Sequence, residues 1–287
     1  MADNCNKVVS GLESKDNEKR ANLTRSKRIV VKVGTSTLTY DTGKVNFTRI
    51  DRLVRILSDL QNRGIEVVLV TSGAIGVGVG KLKLDKKPVT IPEKQAVAAV
   101  GQCELMHIYS KIFSEYGHIV GQILLTKDVV EDNGGRQNVI NTFETLLEKG
   151  IIPIVNENDS VSIEEIESGE NRVFGDNDTL SAIVAKLIHA DTLVILSDID
   201  GFYDSDPRKD NGSKLISVVL DVTAEFEEYA GGAGTGRGTG GMATKLAAAK
   251  IVMEAGIDMV LASGAEPLVL GDIFEGKAIG TLFAGKK

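Results

Sequence analysis

Apolar residues along this chain recur with two periods that alternate. Arg28-Ile-Val-Val-Lys-Val-Gly34 is a β-branched run closing on glycine, the pattern of a buried strand that feeds a loop. Further on, Ile50, Leu53, Ile56, Leu57 and Leu60 fall at helical spacing, with Asn46 to cap the start and Gly64 to stop the end. Ile65–Thr71 is the next strand, and a strand, a helix and a strand in that order predict a right-handed parallel crossover. The alternation continues with a helix over 92–116, a strand over Ile119–Leu125, a helix near 138–149 and a strand over Ile151–Val155. Residues 160–174 read as a hairpin or an irregular excursion. A helix over 178–189, a strand over Thr192–Ser197, a helix over Met242–Ala255 and a strand over Met259–Ala262 complete the pattern. It predicts an α/β fold: a mostly parallel central sheet with helices on both faces.

No internal repeat and no Pro/Ser-rich linker interrupts residues 27–287, so they read as one domain. Residues 1–26 are a polar extension. There Lys7, Lys15, Lys19 and Arg20 alternate with Asp3, Glu13, Asp16 and Glu18, unlike an acid-poor transit peptide, which leaves a disordered tail or a docking arm. The formal net charge of −7, with no basic stripe, argues against nucleic acid as a partner and makes individual lysines more informative than the total. No run of eighteen apolar residues is present, so no membrane span is expected. Cys5 and Cys103 show no metal or redox spacing and make no disulfide framework, which points to a reducing compartment and a cytoplasmic protein. His107, His118 and His189 are scattered and show no metal-binding spacing.

In open α/β sheets ligands bind beyond the carboxyl ends of strands, so the residues that follow each strand carry the chemistry. The densest signal is Gly231-Gly-Ala-Gly-Thr-Gly-Arg-Gly-Thr-Gly-Gly241. Gly236, Gly238 and Gly241 fit G-x-G-x-x-G, but the residues before them, Ala224–Tyr229, read as an acidic helix end rather than the strand a dinucleotide site requires. A Walker A loop is excluded because no glycine directly precedes Lys245. What remains is a glycine loop opening the helix at Met242, whose free N–H groups suit an anion, with Lys245 one turn in to add full charge; a surface linker is the plainer alternative. Lys32 stands alone in an apolar strand, where burial is costly unless it faces a site; on an exposed face it would mean nothing. Ser72-Gly73 opens a helix so rich in glycine, through Gly80, that close backbone approach or tight packing on the sheet is expected. Asn156-Glu-Asn-Asp159 and Gly175-Asp-Asn-Asp178 offer acids and amides after successive strands, although a turn and a helix cap would use the same residues.

Taken together, Val31-Lys32-Val33-Gly34-Thr35-Ser36, Val70-Thr71-Ser72-Gly73-Ala74-Ile75, Asn156–Asp159, Gly175–Ala182 and Gly238–Lys245 resemble, in chain order, the motif set of the glutamate 5-kinases, a branch of the amino acid kinase superfamily. The resemblance covers residues 27–287 and implies an αβα sandwich. It implies Lys32 and Lys245 as the lysines that neutralise the transferring phosphoryl group, and Asp178 as the aspartate that organises them. Ser72, Asp159 and Asn177, with Gly73 and Asp176 beside them, are implied as the glutamate site. Lys32, Gly34, Ser197, Asp198, Thr239, Gly240, Gly241, Met242, Ala243, Thr244 and Lys245 are implied as the ATP site.

The implied cofactors and partners are ATP with Mg²⁺, L-glutamate, proline as a feedback inhibitor and a separate γ-glutamyl phosphate reductase, in a homo-oligomer. A carboxylate acceptor explains the lack of a catalytic histidine or cysteine, since it is already a nucleophile at neutral pH. Neither the RNA-binding-like PUA domain of many bacterial members nor the fused reductase of plant and animal members is expected here. Two alternatives stay open: another amino acid kinase such as acetylglutamate kinase, and a non-catalytic effector sensor on the same fold.

Overall fold

The computed structural model describes residues 16, 18–40, 43–126, 129, 130, 132–161, 177–205, 207, 210, 212–223, 226 and 241–286. Its strands are β1 (Arg28–Val33), β2 (Glu66–Val70), β3 (Val120–Leu125), β4 (Ile152–Glu157), β5 (Thr192–Ser197), β6 (Val218–Val219), β7 (Asp258–Ser263) and β8 (Thr281–Phe283). Its helices are α1 (Thr35–Leu38), α2 (Phe47–Asn62), α3 (Ala74–Leu82), α4 (Ile91–Glu115), α5 (Asn133–Glu148), α6 (Asn177–Leu187), α7 (Met242–Glu254) and α8 (Val269–Phe274). The strands form one eight-stranded sheet in the order β3-β4-β2-β1-β5-β7-β8-β6, parallel throughout except for the β7–β8 pair.

Strand periodicity sorts side chains onto two cores. Ile29, Val31 and Val33 of β1 join α2, α3, α4 and α8, whereas Val30 joins α5, α6 and α7 on the opposite face. The result is the expected αβα sandwich. Local chemistry sets several of the element ends. Asn46 caps α2 by accepting from the Arg49 N–H, and Thr90 and Glu93 form a reciprocal capping box at the start of α4. Helix α5 starts at Asn133 rather than near 138, because Asp132 accepts from the Gly135 N–H and draws Gly134 and Gly135 into the first turn. Strand β4 runs to Glu157, so Asn156 and Glu157 are buried strand residues rather than parts of a turn. Strands β6 and β8 and helix α8 are too short to leave a period in the sequence.

The glycine-rich helix α3 packs closely on another helix, α4. A Cβ on Gly101 of α4 would lie 1.7 Å from the Ala74 carbonyl oxygen, so the two helices cross backbone to backbone. At the amino end, the packed fold takes in residues ahead of Lys27. Glu18–Ala21 are helical and Asn22–Arg25 form a 3₁₀ turn. Arg20 is fully buried, donating to the carbonyls of Ser217, Ile279 and Gly280 at 2.9 to 3.0 Å and pairing with Asp16 at 2.8 Å. The guanidinium fork thus satisfies carbonyls at the entries to β6 and β8. No helix among the described residues is long and apolar enough to cross a membrane.

The tight α3–α4 crossing yields a direct test. Gly101→Ala forces the helices apart and should destabilise the protein by about 1–3 kcal/mol, read as a lower urea midpoint. An unchanged midpoint would show that the crossing has slack.

Candidate active site

Lys32 is an even-numbered position of β1, so alternation puts it with Val30 on the face covered by α6 and α7. It stands opposite Val70 of β2 and Ile195 of β5, in the middle of the sheet. Asp178 opens α6 and is fully buried; Lys245 lies in the first turns of α7. The Lys32 Nζ–Asp178 Oδ1 distance is 2.6 Å and the Lys245 Nζ–Asp178 Oδ2 distance is 3.0 Å. Both lysines are nearly buried, at 6% and 5% exposure, so the ammonium groups are held by the carboxylate rather than by bulk water. Thr244 Oγ1 shares its one proton between Asp178 Oδ2 at 3.1 Å and the Gly241 carbonyl at 2.8 Å, while Ser181 Oγ donates to the Asp178 carbonyl at 2.6 Å.

Burial by itself would push the Asp178 carboxyl up. The fields of Lys32 and Lys245, with their hydrogen bonds, outweigh that and hold it below its ordinary value. Asp178 is therefore ionised at neutral pH, with an ammonium group against each of its two oxygens.

Around this array the strand ends gather the remaining residues into two halves. On one side, Ser72 and Gly73 join β2 to α3, and Gly73 adopts φ 91° as the chain turns back past Thr35. Asn156 and Glu157 end the neighbouring β4, with Asp159 half-buried just beyond. Asn177 opens α6, and its buried Oδ1 has no hydrogen-bond partner among the described residues. On the other side, Gly34 lies beside the Lys32 ammonium. Ser197 ends β5 and donates to Asp198 Oδ1 at 3.0 Å, and Gly241, Met242, Ala243, Thr244 and Lys245 open α7. The Gly264 N–H, just past β7, donates to the Ser197 carbonyl at 2.6 Å, so the β1, β5 and β7 ends meet there. Asp176, Thr239 and Gly240 lie outside the described residues, as do most of 160–174 and all of the glycine loop before Gly241.

The arrangement is an anion-handling edge: two lysines on one carboxylate at the central strand, a helix N-terminus on one side and amides and acids on the other. The same fold is seen in the carbamate kinase from Giardia lamblia bound to AMP-PNP, with TM-score 0.63 at 16% identity over 92% of this chain and 100% of that one. It is seen again in a UMP kinase from Bacillus anthracis, with TM-score 0.57 at 17% identity over 91% and 97% of the two chains. The model of the amino acid kinase family matches residues 27–263. The chain belongs to the amino acid kinase family. Within that family a glutamate 5-kinase from Clostridium perfringens is 65% identical over 268 residues, spanning 93% of this chain and 99% of that protein. Another, from Listeria monocytogenes serovar 1/2a, is 57% identical over 268 residues, spanning 93% and 96%. These relatives group the chain with the glutamate 5-kinases of the family.

Three contacts of this family member were not legible in its sequence. Thr244 belongs to the implied nucleotide segment, yet its hydroxyl also serves Asp178. Ser181 supports Asp178 from one turn along α6, a spacing that many helical serines share. Gln102, inside α4, holds Asn156 through a 2.8 Å bond from Asn156 Nδ2 to Gln102 Oε1, and nothing in its sequence surroundings marks it.

The depressed Asp178 pKa fixes the sign of a pH test. A carboxyl whose folded pKa is lowered contributes stability above its unfolded value and loses it as pH falls through the folded one. Asp178→Asn removes the carboxylate that Lys32 and Lys245 share and should cost about 3–5 kcal/mol at neutral pH. The Tm gap between wild type and variant should stay constant from pH 8 to 5 and close only in stronger acid. A gap that fails to close in strong acid, or that widens as pH falls, would mean that the Asp178 carboxyl is not held below its ordinary value.

Proposed function

We propose that this chain transfers the γ-phosphoryl group of ATP to the γ-carboxylate of L-glutamate, giving γ-glutamyl phosphate and ADP. The observation that carries this reading is the Lys32–Asp178–Lys245 array, set on the central strand between two half-sites. A glutamate γ-oxygen attacks the γ-phosphorus in line, the new O–P bond forms, and the bond to the β,γ-bridging oxygen breaks with its electron pair on ADP. No general base is needed, because the acceptor carboxylate is already ionised at neutral pH. Catalysis rests on alignment and on cations for the spread charge of the transferring group. Lys32 reaches it from the strand side and Lys245 from the helix side, each aimed by one Asp178 oxygen. The α7 N-terminus, with Gly241 to Thr244, faces the ATP phosphates, and Thr239 and Gly240 complete that loop.

Mg²⁺ would accompany the ATP phosphates. Among the described residues no group of three His, Cys, Asp or Glu forms a metal cage, and a phosphate-borne Mg²⁺ requires only one or two protein carboxylates. Asp198, exposed at the β5 end on the nucleotide side, fits that need, and the ion would draw charge from the phosphates. On the other half, Ser72, Gly73, Asp159, Asp176 and Asn177 are the residues for glutamate, the acids meeting its ammonium and the amide and hydroxyl its carboxylates. The identities of the relatives favour glutamate over N-acetylglutamate, and the two retained lysines disfavour a non-catalytic sensor.

The product is an acyl phosphate, which hydrolyses readily, so a separate reductase would collect it on the way to proline. Proline itself shares the α-carboxylate and the cationic amine with glutamate and lacks the γ-carboxylate, so it would compete for the same half-site. We assign the protein to the cytoplasm and expect it to act as a homo-oligomer.

One assay tests the reading: ADP release from ATP and Mg²⁺ with glutamate, N-acetylglutamate, aspartate or UMP. Glutamate should support turnover at least about 100-fold faster than the others, since the half-site's buried polar groups are left unpaired by a wrong acceptor. Millimolar proline should raise the apparent KM for glutamate without lowering the rate at saturation. Equal turnover with N-acetylglutamate would move the chain to a different substrate, and no ADP release with any acceptor would contradict a kinase.

A further inference from the structure

Two buried polar atoms at the amino-acid side of the sheet lack a hydrogen-bond partner among the described residues, and they are of opposite kinds. Asn177 Oδ1 is an acceptor, already part of the proposed glutamate site; Gln102 Nε2 is a donor that no role above employs. Native proteins pair nearly all such atoms, because a shielded donor without a partner forfeits its bonds to water. Gln102 is 8% exposed, so water does not make good the loss.

Its position says what would. Gln102 follows Gly101, the residue pressed against the Ala74 carbonyl in the first turn of α3, directly after Ser72 and Gly73. Its Oε1 accepts from Asn156 Nδ2 at the carboxyl end of β4. By the alternation of β4, Asn156 lies with Ile152 and Ile154 on the face that α4 covers. The Gln102 amide is thus fixed by one end between the β2 and β4 exits, where the acceptor substrate is proposed to sit, and its NH₂ end is unspent.

We infer that Gln102 is a substrate-binding residue whose Nε2 donates a hydrogen bond to a carboxylate of the bound amino acid. The inference rests on the glutamate kinase reading and adds a specificity contact to it. An α-amino acid brings carboxylate acceptors and an ammonium donor, so it satisfies the orphan donor of Gln102 and the orphan acceptor of Asn177 together.

Gln102→Glu is the discriminating variant. It keeps an oxygen to accept from Asn156, so any positioning of Asn156 survives, and it replaces only the outward NH₂ by an anionic oxygen. The KM for glutamate should rise about 10- to 100-fold, the loss expected for a hydrogen bond to a charged group, while the KM for ATP stays within about twofold. Proline inhibition should weaken by a similar factor, because proline keeps the α-carboxylate. Should Gln102→Glu fail to fold, Gln102→Met, which has similar volume and no donor, must show the same split between the two KM values. A folded variant with wild-type KM for glutamate overturns the inference, and so does one whose two KM values rise equally, the mark of a purely structural role. In the same assay, wild-type enzyme inactive on glutamate would sink the kinase reading, and this inference with it. Active wild type beside an unaffected Gln102→Glu would sink the inference alone.

Discussion

A single carboxylate shared by two lysines organises this molecule's chemistry. Asp178 is fully buried, and a buried carboxylate is tolerated only when cations and hydrogen bonds replace the water it has lost. Lys32 and Lys245 supply those cations, Thr244 adds a further donor to one carboxylate oxygen, and Ser181 ties down the Asp178 carbonyl. The dependence is mutual. Each nearly buried lysine is held by one oxygen of the carboxylate, and the carboxylate could not stay ionised without the two cations. Structural ion pairing therefore leaves two preorganised cations beside the strand ends, which is what phosphoryl transfer draws on.

The topology of the sheet turns that array into a two-substrate site. β1 is flanked by β2 on one side and β5 on the other, and the chain order reverses there, so the loops after β2 and β4 diverge from those after β5 and β7. Lys32 sits on the dividing strand. A cation at that position lies within reach of groups held on either side, and α6 and α7 deliver Asp178 and Lys245 to it from one helical layer. On the opposite face, the close α3–α4 crossing brings Ser72, Gly73 and Gln102 toward the end of β4.

Much of this was legible in the sequence because it rests on local chemistry. β-Branched runs and 3.6-residue spacing mark most of the strands and helices, and a lone lysine in an apolar parallel strand signals a site because its burial is otherwise costly. The shared motifs name the residues around it. What stayed hidden depends on contacts between distant segments. Gln102 shows its role only once α4 folds over β4, and Arg20 shows its role only once the carbonyls of Ser217, Ile279 and Gly280 surround it. The early start of α5 turned on a single cap, Asp132, lying before glycines that read as loop. The glycines of α3 fitted two meanings, and only the 1.7 Å clearance at Gly101 shows that the close backbone approach is to α4.

The claim that the lysines act as one charged unit through Asp178 is tested most directly by a double-mutant cycle on kcat. The cycle comprises Lys32→Ala, Lys245→Ala and the double variant. Removing either lysine takes one of the two cations from the array, so each single variant should lose about 10²–10³ in kcat. The double variant, in which the unpaired buried carboxyl takes up a proton, should lose little more than the worse single. Losses that multiply across the cycle would show two independent lysines and contradict the account.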